Sequence, residues 1–205
     1  MEKHLVICIG RQFGSGGREI GLGLAKKLGI RFYDKEILKK AAEESGIVEE
    51  LFEKADEKPT NSFLYSLSMG THGQAMNFTN YNDYLTNDKL FLFQSNTIRD
   101  MAEKDSCVII GRCVGLYPAR TQGHAFSVHP RPYGAAHPAY LPRAQCRGRR
   151  RASLIKKTDR QRANYYNFYA DNDWGAADSY DVAINSGKLG VEKSIEVLAG
   201  ICEHL

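Results

Sequence analysis

The chain has 205 residues, of which 42% are hydrophobic, enough for one globular core and a small additional lobe. No apolar segment reaches the ~18 residues of a membrane span, and no basic start precedes an apolar run, so we expect a soluble protein without a signal peptide and with no membrane partner. Five cysteines, one of them in a predicted core strand, fit free thiols in the reducing cytoplasm better than a disulfide framework.

The net charge of +4 is concentrated in one window. Residues 106–158 contain no Asp or Glu but ten Lys or Arg, which leaves 18 of the 28 basic residues against all 24 acidic residues elsewhere. The arginine-rich run at 147–151 is the candidate for a nucleic-acid surface. It lacks interleaved aromatic residues and a recognisable binding module, so we predict no nucleic-acid partner.

The first predicted strand and helix enclose a glycine-rich turn. Residues 5–9 are apolar throughout, as in a buried parallel strand, and apolar residues recur at helical spacing over 16–28. Between them, Gly14, Gly16 and Gly17 permit positive φ and let successive backbone N–H groups point toward one spot at the helix N-terminus. The pattern predicts a phosphate-binding loop, and a glycine-rich turn without a ligand is the alternative.

The turn and the start of its helix supply the predicted nucleotide-binding residues, which are Gly14, Ser15, Gly16, Gly17, Arg18 and Glu19. Compared with the pattern G-x-x-x-x-G-K-[ST], Gly17 replaces the lysine and Arg18 replaces the hydroxyl residue. We therefore predict that Arg18, the nearest cation, contacts the β- and γ-phosphates.

The later elements alternate between strands and helices, which is typical of a parallel α/β sheet flanked by helices. Strands are predicted at 31–33, 107–110 and 181–184, and helices at 35–45, 47–56, 87–104, 152–169 and 191–202. The polar, aromatic region 58–86 lacks clean periodicity and is predicted to be a small lobe or a lid. All of these elements are assigned to one domain over 1–205, with ligands bound at the carboxyl ends of the strands.

Polar residues follow the predicted strands or share one helix, and they are Asp34, Arg112, Asp159, Arg160, Arg162, Asn185 and Ser186. Arginine forks suit phosphate oxygens, so several arginines near a glycine loop predict a transferable phosphoryl group. Taken alone, Arg160 or Arg162 is better explained as part of a solvated helix face.

Five segments together resemble the cytidylate kinase-like family of P-loop proteins and, more distantly, true cytidylate kinases. They are GRQFGSGGREIGLGLAKKLGIRFYDKEIL, ADEKPTNSFLYSLSM, VIIGRC, IKKTDRQRANYY and YDVAINSGKLGVE. The resemblance covers 1–113 and 152–205. It implies a P-loop NTPase-type fold with an acceptor-binding lobe at 58–86 and a lid over 152–170. It further implies ATP and Mg²⁺ as cofactors, and phosphoryl transfer to a small acceptor, a nucleoside monophosphate.

The resemblance also implies residue roles. Arg112 contacts the monophosphate, Asp159 contacts the nucleoside, and Arg162 contacts the phosphates. Together with Arg18, the cation nearest the loop, the predicted catalytic residues are Arg18, Arg112 and Arg162. Together with Asp34, which follows a strand, and Arg160 on the same helix as Arg162, the predicted substrate-binding residues are Asp34, Arg99, Arg112, Asp159, Arg160 and Arg162.

Several departures from true cytidylate kinases limit this comparison. The loop lacks the lysine and has no Ser or Thr at the magnesium position, so no metal ligand is predicted in the chain. Cys113 replaces an aspartate, and Lys35 stands where a substrate-binding serine is expected. The resemblance therefore implies the reaction class without cytidine specificity, and a non-catalytic nucleotide-binding protein is the alternative.

The window 115–151 does not resemble the family. Codons for 128–131 read one base later are compatible with Phe-Ile-His-Ala, and the continued reading is compatible with a strand and an arginine-rich helix. We therefore hypothesise a short frameshift with a compensating shift downstream. Five of the six prolines lie in the window and would break a strand and a helix there, so we expect an irregular segment and impaired activity.

Cysteines and histidines near this window offer a rival zinc site, with Cys107, Cys113, His124, His129, His137 and Cys146 as its candidate ligands. Only His124 and His129 have a spacing typical of zinc ligands. One suitable pair out of six residues is weak support, so the phosphoryl-transfer hypothesis is preferred.

Overall fold

The computed structural model describes residues 4–57, 81–112, 123–129, 149–170 and 172–205. Its five strands are β1 (Val6–Arg11), β2 (Arg31–Tyr33), β3 (Cys107–Ile110), β4 (Gly123–His129) and β5 (Val182–Asn185). They form one parallel sheet in the order β2-β3-β1-β4-β5. The predicted parallel α/β sheet is confirmed, with β1 at its centre.

In the described ranges the sheet is accompanied by these α-helices: α1 (Gly17–Leu28), α2 (Glu36–Ser45), α3 (Glu49–Ala55), α4 (Tyr81–Lys104), α5 (Arg149–Tyr169), α6 (Ser186–Leu189) and α7 (Val191–Cys202). Helix α4 begins at Tyr81, before the predicted start at 87, because the prediction relied on apolar periodicity that begins near Leu90. Within the described ranges, no helix combines the length and apolar character needed to cross a membrane.

The alternating side chains of β1 join two core clusters on opposite faces of the sheet. Ile7 and Ile9 pack with residues of α1 and α7, whereas Val6 and Cys8 pack with residues of α2, α4 and α5. Each fully buried aliphatic side chain stabilises the fold by about 1.5–3 kcal/mol. Burial also raises the pKa of the Cys8 thiol, as expected for an unreactive structural cysteine. The sheet therefore holds the ends of its strands in a rigid frame.

A regular strand lies inside the anomalous window, so our expectation of an irregular segment is wrong for 123–129. β4 pairs with β1 and β5, with Phe126 opposite both Ile9 and Val182. Phe126 and Val128 are fully buried two residues apart, which is the period of a strand. The nearest prolines, at 118 and 130, flank the strand and remove none of its N–H donors.

Parts of two segments singled out in the sequence lie outside the described residues. They are 115–122 and 130–148 of the window, and 58–80 of the predicted lobe. The last residues assigned to that lobe, 81–86, belong to α4. The frameshift stays a hypothesis, and sequencing the gene between the codons for Cys107 and Asp159 tests it.

Candidate phosphate-binding cleft

The turn between β1 and α1 has the backbone shape of an anion-binding loop. Gly14 and Gly16 both have φ of 74°, in the left-handed region that favours glycine. Ser15 is buried between them, and its Oγ accepts a hydrogen bond from the Gly17 N–H at 3.3 Å. From the end of β5, the Ser186 hydroxyl donates to the Ser15 carbonyl oxygen at 2.6 Å. The loop is therefore held in place before any anion binds.

Position 17 has no space for a side chain, because Arg11 lies too close to it. A Cβ built at Gly17 would lie 2.6 Å from Arg11 Cβ and 3.3 Å from Ser15 Oγ. Because Arg11 Cβ is fixed to the end of β1, it cannot move away as a flexible side-chain tip could. The position that holds lysine in the usual pattern thus has no room for a side chain unless the loop shifts.

An open cleft of about 830 Å³ lies beside this loop, at the carboxyl ends of β1 and β3. This size falls within the range of small-molecule sites, roughly 300–1,000 Å³. The predicted residues that line the cleft are Gly14, Gly16, Gly17, Arg18, Glu19, Asp34, Arg112 and Arg162. The structure therefore brings most of the predicted set together in one place.

Arg112 is bonded to carboxylates and carbonyls of the protein. Its Nε and Nη2 donate to the two carboxylate oxygens of Asp56, each at 3.0 Å. Its Nη1 donates to the Asp34 carbonyl oxygen at 2.8 Å and lies 3.4 Å from Asp34 Oδ1. Burial opposes the charge on this guanidinium, but the neighbouring carboxylates, Asp56 first, raise the pKa of Arg112. The side chain is only 1% exposed, so its position is closely fixed.

Glu57 joins two further arginines. Its carboxylate accepts hydrogen bonds from Arg11 Nη1 and from Arg162 Nε, the latter at 3.0 Å. Burial would raise the pKa of Glu57, but the two guanidinium groups outweigh it and lower the pKa to about 2. The neighbouring Asp56 differs, since burial raises the pKa of its carboxyl despite Arg112. Both acids remain close to fixed positive charges.

Sequence reasoning did not select Arg11, Asp56 or Glu57. Arg11 belongs to the glycine-rich segment, and Asp56 and Glu57 belong to the segment ADEKPTNSFLYSLSM. Both segments contribute to the resemblance to the family, but the resemblance does not assign a role to any of these three residues. An arginine next to the loop and two adjacent acids were the only signals available.

Arg18 lies at the rim of the cleft. Its Nε donates to Asp34 Oδ2 at 2.7 Å, and its guanidinium carbon lies 5.7 Å from the centre of the Phe32 ring. The Arg18 side chain is 61% exposed. Asp34 thus links the exposed Arg18 with the buried Arg112, and Arg18 keeps access to solvent and to a ligand in the cleft.

Helix α5 presents its predicted residues in two directions. Asp159 Oδ1 accepts the Phe13 N–H at 2.7 Å, and Arg162 Nη1 donates to the Arg11 carbonyl oxygen at 3.3 Å. Burial raises the pKa of the Asp159 carboxyl. Arg160 instead lies in an exposed groove with Lys156 and Lys157.

Two other predicted residues are also placed away from the cleft. Arg99, on α4, donates to Asn96 Oδ1 at 3.1 Å in an exposed contact. Asn185 Oδ1 accepts the Lys188 N–H at 3.1 Å and so caps α6. Thus Arg99 and Arg160 do not meet the other predicted phosphate-binding arginines.

Comparisons with solved structures identify the fold. An uncharacterized protein from Eubacterium ventriosum ATCC 27560 is 24% identical, with a TM-score of 0.68 over 98% of this chain and 99% of that one. Shikimate kinase from Bacteroides thetaiotaomicron is 16% identical, with a TM-score of 0.54 over 97% of this chain and 98% of that one. The fold is therefore that of the P-loop NTPases, as predicted.

Comparisons of sequence identify the family. No curated protein sequence matches the chain. The model of the cytidylate kinase-like family matches residues 6–188, which include the glycine loop, both aspartates of the cleft and all of its arginines. The chain therefore belongs to the cytidylate kinase-like family and is a kinase-like, nucleotide-binding protein.

Proposed function

We propose that the protein transfers a phosphoryl group from ATP to a small acceptor, a nucleoside monophosphate. The observation that carries the proposal is the cleft, in which the glycine loop lies beside Arg11, Arg112 and Arg162, at the end of β1, after β3 and on α5. The loop offers backbone N–H groups to one polyphosphate, and planar guanidinium groups suit the oxygens of a second. Two anion-binding parts in one cleft fit a reaction between two phosphorylated substrates.

The proposed roles follow the position of each residue in the cleft. The loop residues Gly14 to Glu19 hold the phosphates of ATP, and Arg18 at the rim contacts the phosphoryl group in transfer. Arg112 and Arg162 bind the phosphate of the acceptor, while Asp34 and Asp159 bind its polar groups. Arg99 and Arg160 lie elsewhere, so we leave them out of the proposed site.

ATP and Mg²⁺ are the cofactors that the family implies. The left-handed glycines and the N-terminus of α1 fit the phosphates of ATP. Mg²⁺ bound to ATP would neutralise charge on the β- and γ-phosphate oxygens. The described residues include no group of three or more His, Cys, Asp or Glu placed to hold a metal. Besides Asp56 and Glu57, the carboxylates that line the cleft are those of Glu19, Asp34 and Glu36, and carboxylate oxygens suit Mg²⁺.

A specific observation favours a second candidate, a nucleotide-binding protein without catalysis. Arg11 takes the space beside Gly17, so the loop has no room for the usual lysine. In addition, Arg112 and Arg162 are bonded to carboxylates of the protein. Such a protein would bind ATP but would leave every acceptor unmodified.

Two measurements test the proposal. The first is transfer of labelled phosphate from ATP to a panel of cytidine, uridine and adenosine monophosphates, in which at least one labelled diphosphate is expected. The second is calorimetry with a non-hydrolysable ATP analogue on Gly16→Val, which should lose binding because a branched side chain cannot adopt φ of 74° without strain. Gly200→Ala, in open space on α7, is the control.

Unchanged analogue affinity in a folded Gly16→Val protein would contradict the nucleotide site. Binding of the analogue without any labelled product would favour the non-catalytic candidate. We further propose that the protein acts in the cytoplasm, because the buried cysteines Cys8 and Cys107 form no disulfide, as suits a reducing compartment.

A further inference from the structure

We propose that Asp56 and Glu57 act as an internal counter-anion, which occupies the place of the acceptor's phosphate and is displaced when that phosphate binds. The same site includes a third guanidinium, that of Arg11. This inference rests on the proposed function, because it assigns the cleft's arginines to an anionic acceptor. It adds three residues that neither the sequence patterns nor the family match assign.

The contacts of the internal counter-anion are those that a phosphate group would make. Both carboxylate oxygens of Asp56 accept from Arg112, and both oxygens of Glu57 accept, one from Arg11 and one from Arg162. Arginine binds carboxylate and phosphate through the same forked geometry. The two carboxylates thus engage the donors that an incoming phosphate needs.

The charges of this network balance only while the two acids are in place. The guanidinium groups of Arg11, Arg112 and Arg162 face the carboxylates of Asp34, Asp56 and Glu57, so these inner contacts carry three positive and three negative charges, while Arg18, which also bonds Asp34, is exposed at the rim. A dianionic phosphate added to this network would be buried without compensating charge, which is strongly unfavourable. Once Asp56 and Glu57 leave, the network has an excess of two positive charges, which matches a dianion.

The backbone at these two residues is suited to movement. Helix α3 is anchored by Phe52, which is 2% exposed and packs against Leu38 and Leu90. Asp56 and Glu57 follow the end of this helix, and Glu57 has φ of 51°, an unfavourable value for a residue with a side chain. Because the two acids are consecutive and lie beyond the helix, changes in the backbone dihedral angles after Ala55 can move both carboxylates while Phe52 stays packed.

Arg11 connects the two parts of the cleft. It is the last residue of β1, and its Cβ lies against Gly17 at the start of α1. Its guanidinium reaches past Gly111, whose missing side chain leaves the necessary space, to Glu57. Arg11 is therefore placed to contact the acceptor's phosphate next to Arg112 and Arg162.

Calorimetric titration of the whole protein with inorganic phosphate tests the inference. Glu57→Gln keeps the shape of the side chain and removes its charge, so it should bind phosphate about tenfold more tightly than the unmodified protein. Glu53→Gln, an exposed change of the same kind on α3, should leave the phosphate affinity unchanged. Affinity for a non-hydrolysable ATP analogue should be the same in all three proteins.

The effect of phosphate on thermal unfolding gives a second readout, because loss of a purely structural acid would lower the melting temperature without increasing the effect of phosphate. Glu57→Gln should melt at a lower temperature than the unmodified protein in phosphate-free buffer, and added phosphate should restore more of that loss than it adds to the unmodified protein. Asp56→Asn should behave in the same way and serves if Glu57→Gln does not fold. Adding Arg11→Ala to either variant should abolish the gain in phosphate affinity.

Unchanged or weaker phosphate binding by folded Glu57→Gln and Asp56→Asn proteins would overturn the inference. That result is distinct from failure of the proposed function, because the titration requires no phosphoryl transfer. If monophosphates are phosphorylated while these variants gain no phosphate affinity, the function stands and the inference fails. If the variants gain phosphate affinity while no acceptor is phosphorylated, the inference stands and the proposed phosphoryl transfer fails.

Discussion

At one end of the cleft the glycine loop offers backbone N–H groups and a helix N-terminus, whereas the other end offers guanidinium groups that are bonded to carboxylates. The loop can bind an anion without burying a side-chain charge, so its requirement is backbone shape. At the arginine end, each guanidinium group is paired with a carboxylate. Removal of one partner leaves the other charge in the protein without a counter-charge. The two ends should therefore respond very differently to single substitutions.

The largest effect is expected from Arg112→Ala, at the arginine end. It leaves the carboxylate of Asp56 without its main partner and removes the hydrogen bond to the Asp34 carbonyl oxygen, so the free energy of unfolding should fall by about 3–5 kcal/mol in urea denaturation. Arg31→Ala removes an ion pair with Asp105 that is 65% and 44% exposed, and it should cost no more than about 1 kcal/mol. Equal losses of unfolding free energy in the two variants would show that burial of an ion pair does not determine the cost of breaking it.

A second effect is a change of stability with pH. The pKa of Glu57 is lowered to about 2 in the folded protein, so its carboxylate stabilises the fold above the ordinary glutamate pKa and loses this contribution as pH falls from about 4.5 toward 2. The unmodified protein should exceed Glu57→Gln in free energy of unfolding by about 3 kcal/mol at neutral pH. Denaturation at several pH values should show this gap narrowing below pH 4.5, and a constant gap would contradict it.

A third effect concerns two arginines on α5. Arg162→Ala removes a cation of the cleft and should lower kcat/KM for the monophosphate by about 1.5–3 kcal/mol in transition-state stabilisation, with the KM for ATP unchanged. Arg160→Ala, two residues earlier and exposed, should change neither constant. Steady-state kinetics that reverse this order would show that the lid binds the acceptor through its other face.

The smallest effect is expected at the loop. Gly17→Ala places a methyl group 2.6 Å from Arg11 Cβ, and the resulting shift should destabilise the protein by about 1–3 kcal/mol. Gly200→Ala meets no atom within 4 Å, so the same change should be neutral or stabilising by up to about 1 kcal/mol. Differential scanning calorimetry of the two variants measures the contrast, which would be refuted if Gly17→Ala melted like Gly200→Ala.

The fold and the loop could be predicted because they depend on local patterns. Strand β1 is a run of apolar residues, and α1 has apolar residues at helical spacing, so both appear in the sequence. Asp34 and Arg112 follow strands, and the parallel sheet necessarily brings strand ends to one edge. These positions follow from the order of the elements alone.

The pairing of charges could not be predicted in the same way. Asp56 and Glu57 lie beyond the end of a short helix, and no sequence period indicates that they turn toward Arg112 and Arg162. The sequence places Asp159, Arg160 and Arg162 together on one helix, but Asp159 and Arg162 are three residues apart and share a face of α5 that Arg160 does not. Such contacts depend on how helices are rotated against the sheet.

The register between β1 and β4 ties the anomalous window to the nucleotide site. Arg11 lies opposite Val128, and the Gln12 N–H donates to the Val128 carbonyl oxygen at 3.3 Å. These bonds use backbone groups, so a gene read in another frame can preserve them if 126 and 128 stay apolar and no proline falls within 123–129. Within these limits, every side chain of β4 can change during evolution while the backbone pairing keeps Arg11 at the same position.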